Sequence, residues 1–365
     1  ARTRGARPPS RRARRRLASA HRPPCRRRPA ITAHRFDLGP FELQCGITLP
    51  EAHLTYATYG ELSPRRNNVI LYPTSYGAHH SDVDWLVGEG RVLDPTRWCV
   101  VIPDQLGNGL STSPSNLPEP FAAGPAPRFT HLDNLHAQER MLREALGVER
   151  LALVYGWSMG GQQALHWGAL RPDRVGAICA VCTSARTAPH NRVFLEGMKA
   201  VLQSAPEWDG TRFTGRPVRA LRAFGRLYAG WAMSQRFYRD ELWRGVGFAS
   251  LEDWLVRAWE GNFLRRHPGD LLSMLETWIA SDISANPTFA GDLDAALGAI
   301  SARTLVMPST TDLYFRVADN AAEVPRMPNA ELRPFDSPWG HRAGNPNLDP
   351  ADEAVLREAV RELIG

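Results

Sequence analysis

LALVYGWSMGGQQALHWGALRP, residues 151–172, decides how the rest of the chain is read. Residues 151–155 form a short apolar run of strand length. Residues 159–170 predict a helix that stops at Arg171-Pro172, because the residue before a proline is pushed out of the helical region. Between them lies Gly156-Trp157-Ser158-Met159-Gly160, a G-x-S-x-G on a strand–turn–helix. The serine of such a turn is backbone-strained, and bulk two residues to either side would clash, so Gly156 and Gly160 are required there. The turn lifts Ser158 Oγ off the sheet at the head of a helix. The Met159 N–H then points to where an oxyanion would form. Gly161 lets the helix approach the neighbouring strands closely.

A serine hydroxyl is a weak nucleophile that needs a base, and the base needs an orienting group. Downstream, Asp312 follows the apolar run 304–307 in PSTTDLYF, and His341 follows the run 331–335 in SPWGHRAG. Both loops should open on the same sheet edge as Ser158, in the order Ser…Asp…His. Asp336 and Asp319 compete for the role of the acid. Asp336 starts the loop that carries His341, and Asp319 reads as helical. A second oxyanion donor is expected from the loop 73–77, from the Ser75 N–H first and Tyr76 next. His79 and His80 follow that loop and are the other histidines of interest.

The surrounding pattern predicts an α/β fold with a mostly parallel central sheet flanked by helices. Residues 36–60 alternate as a meander of antiparallel strands. Runs at 69–72, 98–103, 151–155, 175–181, 304–307 and 331–335 read as strands. Residues 131–146, 159–170, from about 317, and 350–364 read as helices. Residues 187–299 break the rhythm. They hold Trp208, Trp231, Trp243, Trp254, Trp259 and Trp278 and few β-branched runs, which predicts a helical lid inserted into a core of 34–186 and 300–365.

The net charge of +6 does not describe the folded body. Twelve arginines and no acidic residue fall in residues 1–30, so the remainder is net acidic. No nucleic-acid-binding domain is expected. Residues 1–33 read as a disordered Arg/Pro-rich tail, an upstream extension or start-site artefact without function. No apolar run is long enough to span a membrane. The five cysteines are scattered, and Cys179-x-x-Cys182 lies in an apolar run without a second pair, so core packing is expected rather than a metal site. Cysteine usage favours a reducing cytoplasm. No metal or bound cofactor is implied.

With these residues in hand, the chain resembles the homoserine O-acetyltransferase family within the α/β-hydrolase superfamily. The resemblance runs through TYATYGEL (55–62), NNVILYPTSYGAHH (67–80), GNGLSTSPSN (107–116), GWSMGGQQALHWGALRPDRV (156–175), TSARTAPHN (183–191), TTDLYF (310–315) and DSPWGH (336–341). It places the family's Ser, Asp and His on Ser158, Asp312 and His341. It implies an α/β-hydrolase fold, a ping-pong reaction through an acyl-serine, and a helical lid that often mediates a homodimer. The departures fall on substrate recognition. Trp157 stands where the family has Gly and would crowd the pocket. Arg342 replaces an acidic residue after the histidine that contacts the substrate amine. Lys199 stands for a carboxylate-binding arginine of the lid, and Pro73 for an oxyanion-loop histidine. Together with Tyr76, the residues Trp157, Lys199 and Arg342 are the expected substrate-binding groups.

Two enzymes fit this machinery. The first is a serine hydrolase of an ester, thioester, lactone or amide. The second is an O-acyltransferase with acyl-CoA as co-substrate. A catalytically idle binding protein on the same scaffold is the third reading, and it conflicts with an intact Ser158, Asp312 and His341.

Overall fold

The alternating stretch near the start folds as two antiparallel strands, β1 (Thr32–Glu42) and β2 (Thr48–Tyr59), in the computed structural model. That structure describes residues 32–122, 124–346 and 349–365. The bulk of the expected tail, with Cys25, lies outside the described residues. β1 begins at Thr32, paired with Thr58, so ordered pairing starts two residues inside the stretch assigned to the tail.

Six further strands complete one sheet: β3 (Val69–Leu71), β4 (Cys99–Pro103), β5 (Leu153–Trp157), β6 (Ala177–Val181), β7 (Arg303–Met307) and β8 (Ala330–Leu332). The order is β1-β2-β4-β3-β5-β6-β7-β8. All pairs from β4 to β8 are parallel, and β1 and β2 form an antiparallel edge. Every residue of β5 and β6 is buried, as expected of parallel strands covered on both faces. The period of two sorts them. Leu153, Tyr155 and Trp157 join one apolar cluster and Val154 the other, across the sheet. β8 is shorter than the apolar run suggested. Pro334 has no N–H for the ladder, and pairing resumes only at an isolated Ser309–Phe335 bridge.

Helices α1 (His131–Glu144) and α2 (Met159–Leu170) flank β5 in sequence. Thr130 caps α1 through a reciprocal bond with Asp133, which fixes where it starts. Between β6 and β7 the chain is helical, with α3 (Pro189–Gln203), α4 (Val218–Ala232), α5 (Pro268–Ile279) and shorter turns. Phe194, Phe224, Tyr228 and Trp278 of this segment belong to the same apolar cluster as Tyr155 and Trp157 of the sheet. The tryptophans that mark the segment in sequence are therefore packing residues that seat it on the core. The chain ends in α6 (Val317–Glu323) and α7 (Pro350–Ile364). Cys179 and Cys182 are buried free thiols, as the apolar run suggested. Among the described residues, no helix is long and apolar enough to cross a membrane.

Candidate active site

β5 ends at Trp157 and α2 begins at Met159, so Ser158 occupies the turn alone, with φ 60° and ψ −129°. A non-glycine residue at positive φ is strained and persists only where its surroundings hold it. Here they do. The Ser158 N–H donates to Val181 O at 3.0 Å, and its carbonyl accepts from Gln162 N at 3.0 Å and Thr183 Oγ1 at 2.8 Å. A Cβ on Gly156 would lie 2.3 Å from Gly160 O, and one on Gly160 would lie 2.4 Å from Pro73 O. Both glycines are steric requirements of the turn.

His341 lies in the helical turn Gly340–Gly344. Its Nε2 is 2.9 Å from Ser158 Oγ and its Nδ1 is 2.8 Å from Asp312 Oδ2. The other Asp312 oxygen accepts the N–H groups of Tyr314 and Phe315 at 2.8 and 3.2 Å. The carboxylate is therefore aimed by the backbone of its own loop. Both side chains are almost fully buried, at 3% and 0% exposure, so the pair acts in a medium of low dielectric. Cys182, just past β6, lies beside Asp312 and His341. Burial pushes the Cys182 thiol's pKa well above its usual value and keeps it protonated. Cys182, Asp312 and His341 could offer a metal three donor atoms within 4.8 Å of one another. The Asp312–His341 hydrogen bond would have to break to admit an ion.

The N–H groups of Met159 and Ser75 donate to no acceptor among the described residues. Met159 opens α2, where the helix dipole adds positive potential. Ser75 Oγ donates to Trp157 O at 2.5 Å and ties the Ser75 loop to the end of β5. Both N–H groups lie beside Ser158, one in the residue that follows it and one in the loop tied to Trp157.

The competing acids go elsewhere. Asp336 is exposed and accepts from Thr310 Oγ1 and Arg236 Nη1, both at 3.0 Å. Asp319 sits in α6. His80 Nδ1 pairs with the buried Asp104 at 2.6 Å, and His79 Nε2 meets Asn108 O at 3.0 Å, so both brace the loop after Ser75.

Of the expected substrate-binding residues, Tyr76 packs face to face with Tyr228 at 5.8 Å and donates its hydroxyl to Leu271 O of α5 at 3.1 Å. Lys199 Nζ pairs with Glu276 at 2.8 Å, so its charge is already partnered and is not free to hold a substrate carboxylate. Trp157 does not simply crowd the serine. Its indole N–H donates to His341 O at 3.0 Å, and its ring lies 5.1 Å from the imidazole. It fits because Gly344 has no side chain, since a Cβ there would lie 2.2 Å from Trp157 Cδ1. The guanidinium of Arg342 stacks over the same indole at 5.5 Å.

Sequence reasoning did not single out Thr183 or Gly344, and it gave Cys182 only a packing role. The sequence signal for Gly344 was only a glycine three residues past the histidine. Gly344→Ala is expected to displace Trp157, loosen His341 and destabilise the protein by about 1–3 kcal/mol, as overpacking does. Denaturant unfolding and ester turnover would both report it. Unchanged values for both would show that the indole does not hold the loop.

A strained serine at the carboxyl edge of a mainly parallel sheet, bonded to a buried His–Asp pair, defines a class of nucleophilic α/β enzyme. The comparisons agree. The α/β hydrolase fold family matches residues 68–342. An ethyl acetate hydrolase of Pseudomonas veronii is 34% identical over 311 residues, 84% of this chain and 88% of that protein. A solved acetylester hydrolase from Corynebacterium glutamicum superposes with a TM-score of 0.86 at 31% identity, over 90% of this chain and 96% of the other. A homoserine O-acetyltransferase of Chlorobaculum parvum is 28% identical over 341 residues, 89% and 93% of the two chains. The chain belongs to the α/β-hydrolase fold family. It is an enzyme of the serine hydrolase or acyltransferase kind.

Proposed function

We propose that the chain hydrolyses carboxylic esters of short acids, acetyl esters foremost, through an acyl-Ser158 intermediate. The observation that carries this reading is the continuous hydrogen-bonded path from Asp312 through His341 to Ser158 Oγ, at 2.8 and 2.9 Å. Ser158 Oγ attacks the ester carbonyl while His341 Nε2 accepts its proton. The Met159 and Ser75 N–H groups hold the oxyanion. The intermediate collapses, and His341 returns the proton to the departing alcohol. Water, deprotonated by His341, then attacks the acyl-serine to release the acid and restore Ser158.

Aromatic side chains pack against the histidine, with Tyr314 at 4.9 Å and Phe315 at 5.5 Å, and help to hold the imidazole in place for this chemistry. The similarity to an ethyl acetate hydrolase and to an acetylester hydrolase points the same way. Residues 187–299 act as the lid in this reading, and exposed Val193, Val218 and Leu227 on α3 and α4 suit a homodimer through it. The unpaired thiols suit the cytoplasm.

Acyl transfer from acyl-CoA is the second reading, favoured by the sequence similarity to the homoserine O-acetyltransferase. Homoserine should nonetheless be a poor acceptor here, because its ammonium would meet the Arg342 cation beside His341. A panel of p-nitrophenyl esters of increasing acyl length, with ethyl acetate and acetyl-CoA with and without homoserine, tests the choice. Hydrolysis that falls with acyl length, with no homoserine-dependent thiol release, is expected. Acetyl transfer to homoserine well above hydrolysis would replace the esterase reading.

A further inference from the structure

A cavity of about 230 Å³ opens beside the His341 turn. Trp254, Trp259 and Trp339 wall it, and Arg342, Asn262 and Asn345 supply its polar groups, with no acidic residue among those that line it. Trp339, Arg342 and Asn345 come from the same loop as His341, so the cavity borders the turn that carries the histidine.

Its polar groups share one property: they are donors. The Arg342 guanidinium makes no ion pair and no side-chain hydrogen bond among the described residues, and its contact with Trp157 is with a ring face. Asp82, the carboxylate whose field reaches it, is already bonded to Arg265 and Arg266. Asn345 Oδ1 accepts from the Trp85 indole N–H at 2.6 Å, and Asn262 Oδ1 accepts from Arg265 Nη2 at 2.5 Å. Indole and guanidinium nitrogens can only donate, so they fix both amide orientations, and neither Nδ2 donates to an acceptor among the described residues. A half-buried cation without a counter-charge is a ready recognition point for an anion that arrives to meet it. Arg342 is half-buried and lines the cavity.

We propose that this cavity binds the alcohol part of the ester, and that the alcohol carries an apolar, ring-sized body ending in a carboxylate held by Arg342, Asn262 and Asn345. The inference rests on the esterase reading above. The alcohol side follows from the chemistry: His341 hands its proton to the departing alkoxide, so the leaving group lies on the histidine's side. The tryptophan walls take the apolar body, and the guanidinium takes the carboxylate through charge-assisted hydrogen bonds.

Three probes test this: p-nitrophenyl acetate, 4-(acetoxymethyl)benzoate and its neutral isostere 4-(acetoxymethyl)benzamide. The wild type is expected to favour the benzoate over the benzamide by about tenfold or more in kcat/KM, the size of a charge-assisted contact. Arg342→Gln should bring that ratio close to one, and Arg342→Lys should restore part of it. A second measurement needs no variant. 4-(Hydroxymethyl)benzoate should inhibit wild-type p-nitrophenyl acetate hydrolysis competitively, and 4-(hydroxymethyl)benzamide far more weakly. Equal ratios in the wild type, a preference that survives Arg342→Gln, or equal inhibition by the two alcohols would overturn the carboxylate site. So would hydrolysis of p-nitrophenyl acetate with no turnover of either probe. Failure to hydrolyse p-nitrophenyl acetate itself would instead remove the esterase reading on which the inference rests.

Discussion

Ser158→Ala is expected to lower ester turnover by about 10⁴-fold or more, the loss typical when a nucleophile of this kind is removed. The acyl group has no other oxygen to pass through, since Ser158 Oγ is the hydroxyl bonded to His341 Nε2. The fold should survive. The contacts that hold the strained turn are made by the Ser158 backbone, to Val181, Gln162 and Thr183, and alanine keeps all of them. Steady-state hydrolysis of p-nitrophenyl acetate, beside a thermal melt, separates the two effects. Mass spectrometry after a short pulse of substrate should find an acetyl adduct on the wild type and none on the variant. A variant that kept a tenth of wild-type turnover would exclude Ser158 as nucleophile.

The site was legible in sequence wherever its chemistry depends on local backbone. Gly156, Ser158 and Gly160 lie within five residues, and the steric demand that ties them together is met inside a single turn. Asp312 and His341 were legible because a parallel sheet exposes the ends of all its strands on one edge, so a polar residue just past β7 and another just past the β8 segment must converge. What the sequence hid depends on partners far apart in the chain. Trp157 reads as an obstruction beside the serine, but its role as a brace requires knowing that Gly344, in a turn near the other end of the chain, lies against its ring. Lys199 stands in sequence for a carboxylate-binding arginine of the lid, and only the packing of α3 near α5 brings Glu276 to it. Asp336 precedes His341 by five residues and looks like a rival to Asp312. The geometry separates them, because Asp336 faces solvent and Arg236 while Asp312 is sealed beneath the imidazole.

That separation sets up the second large effect. Asp312→Asn should reduce turnover by about 10³–10⁴-fold, whereas Asp336→Asn should leave it within a few-fold. Asparagine at 312 can still accept the Tyr314 and Phe315 N–H groups through Oδ1. Its other terminus is then an NH₂, which faces His341 Nδ1 and donates to it. A nitrogen that accepts a hydrogen bond carries no proton, so the proton must sit on Nε2. That is the nitrogen that has to receive the proton of Ser158, and the base is lost by tautomer with little change in shape. The loss should fall on kcat more than on KM, because nothing that touches the bound ester has moved. Asp336 bonds only Thr310 and Arg236 at the surface, so its amide would weaken an exposed ion pair worth roughly 0–1 kcal/mol and leave the imidazole untouched. Paired kinetics on the two variants decide between the acids. If Asp336→Asn proved the more damaging, the orienting role would have to move from Asp312 to the start of the histidine loop.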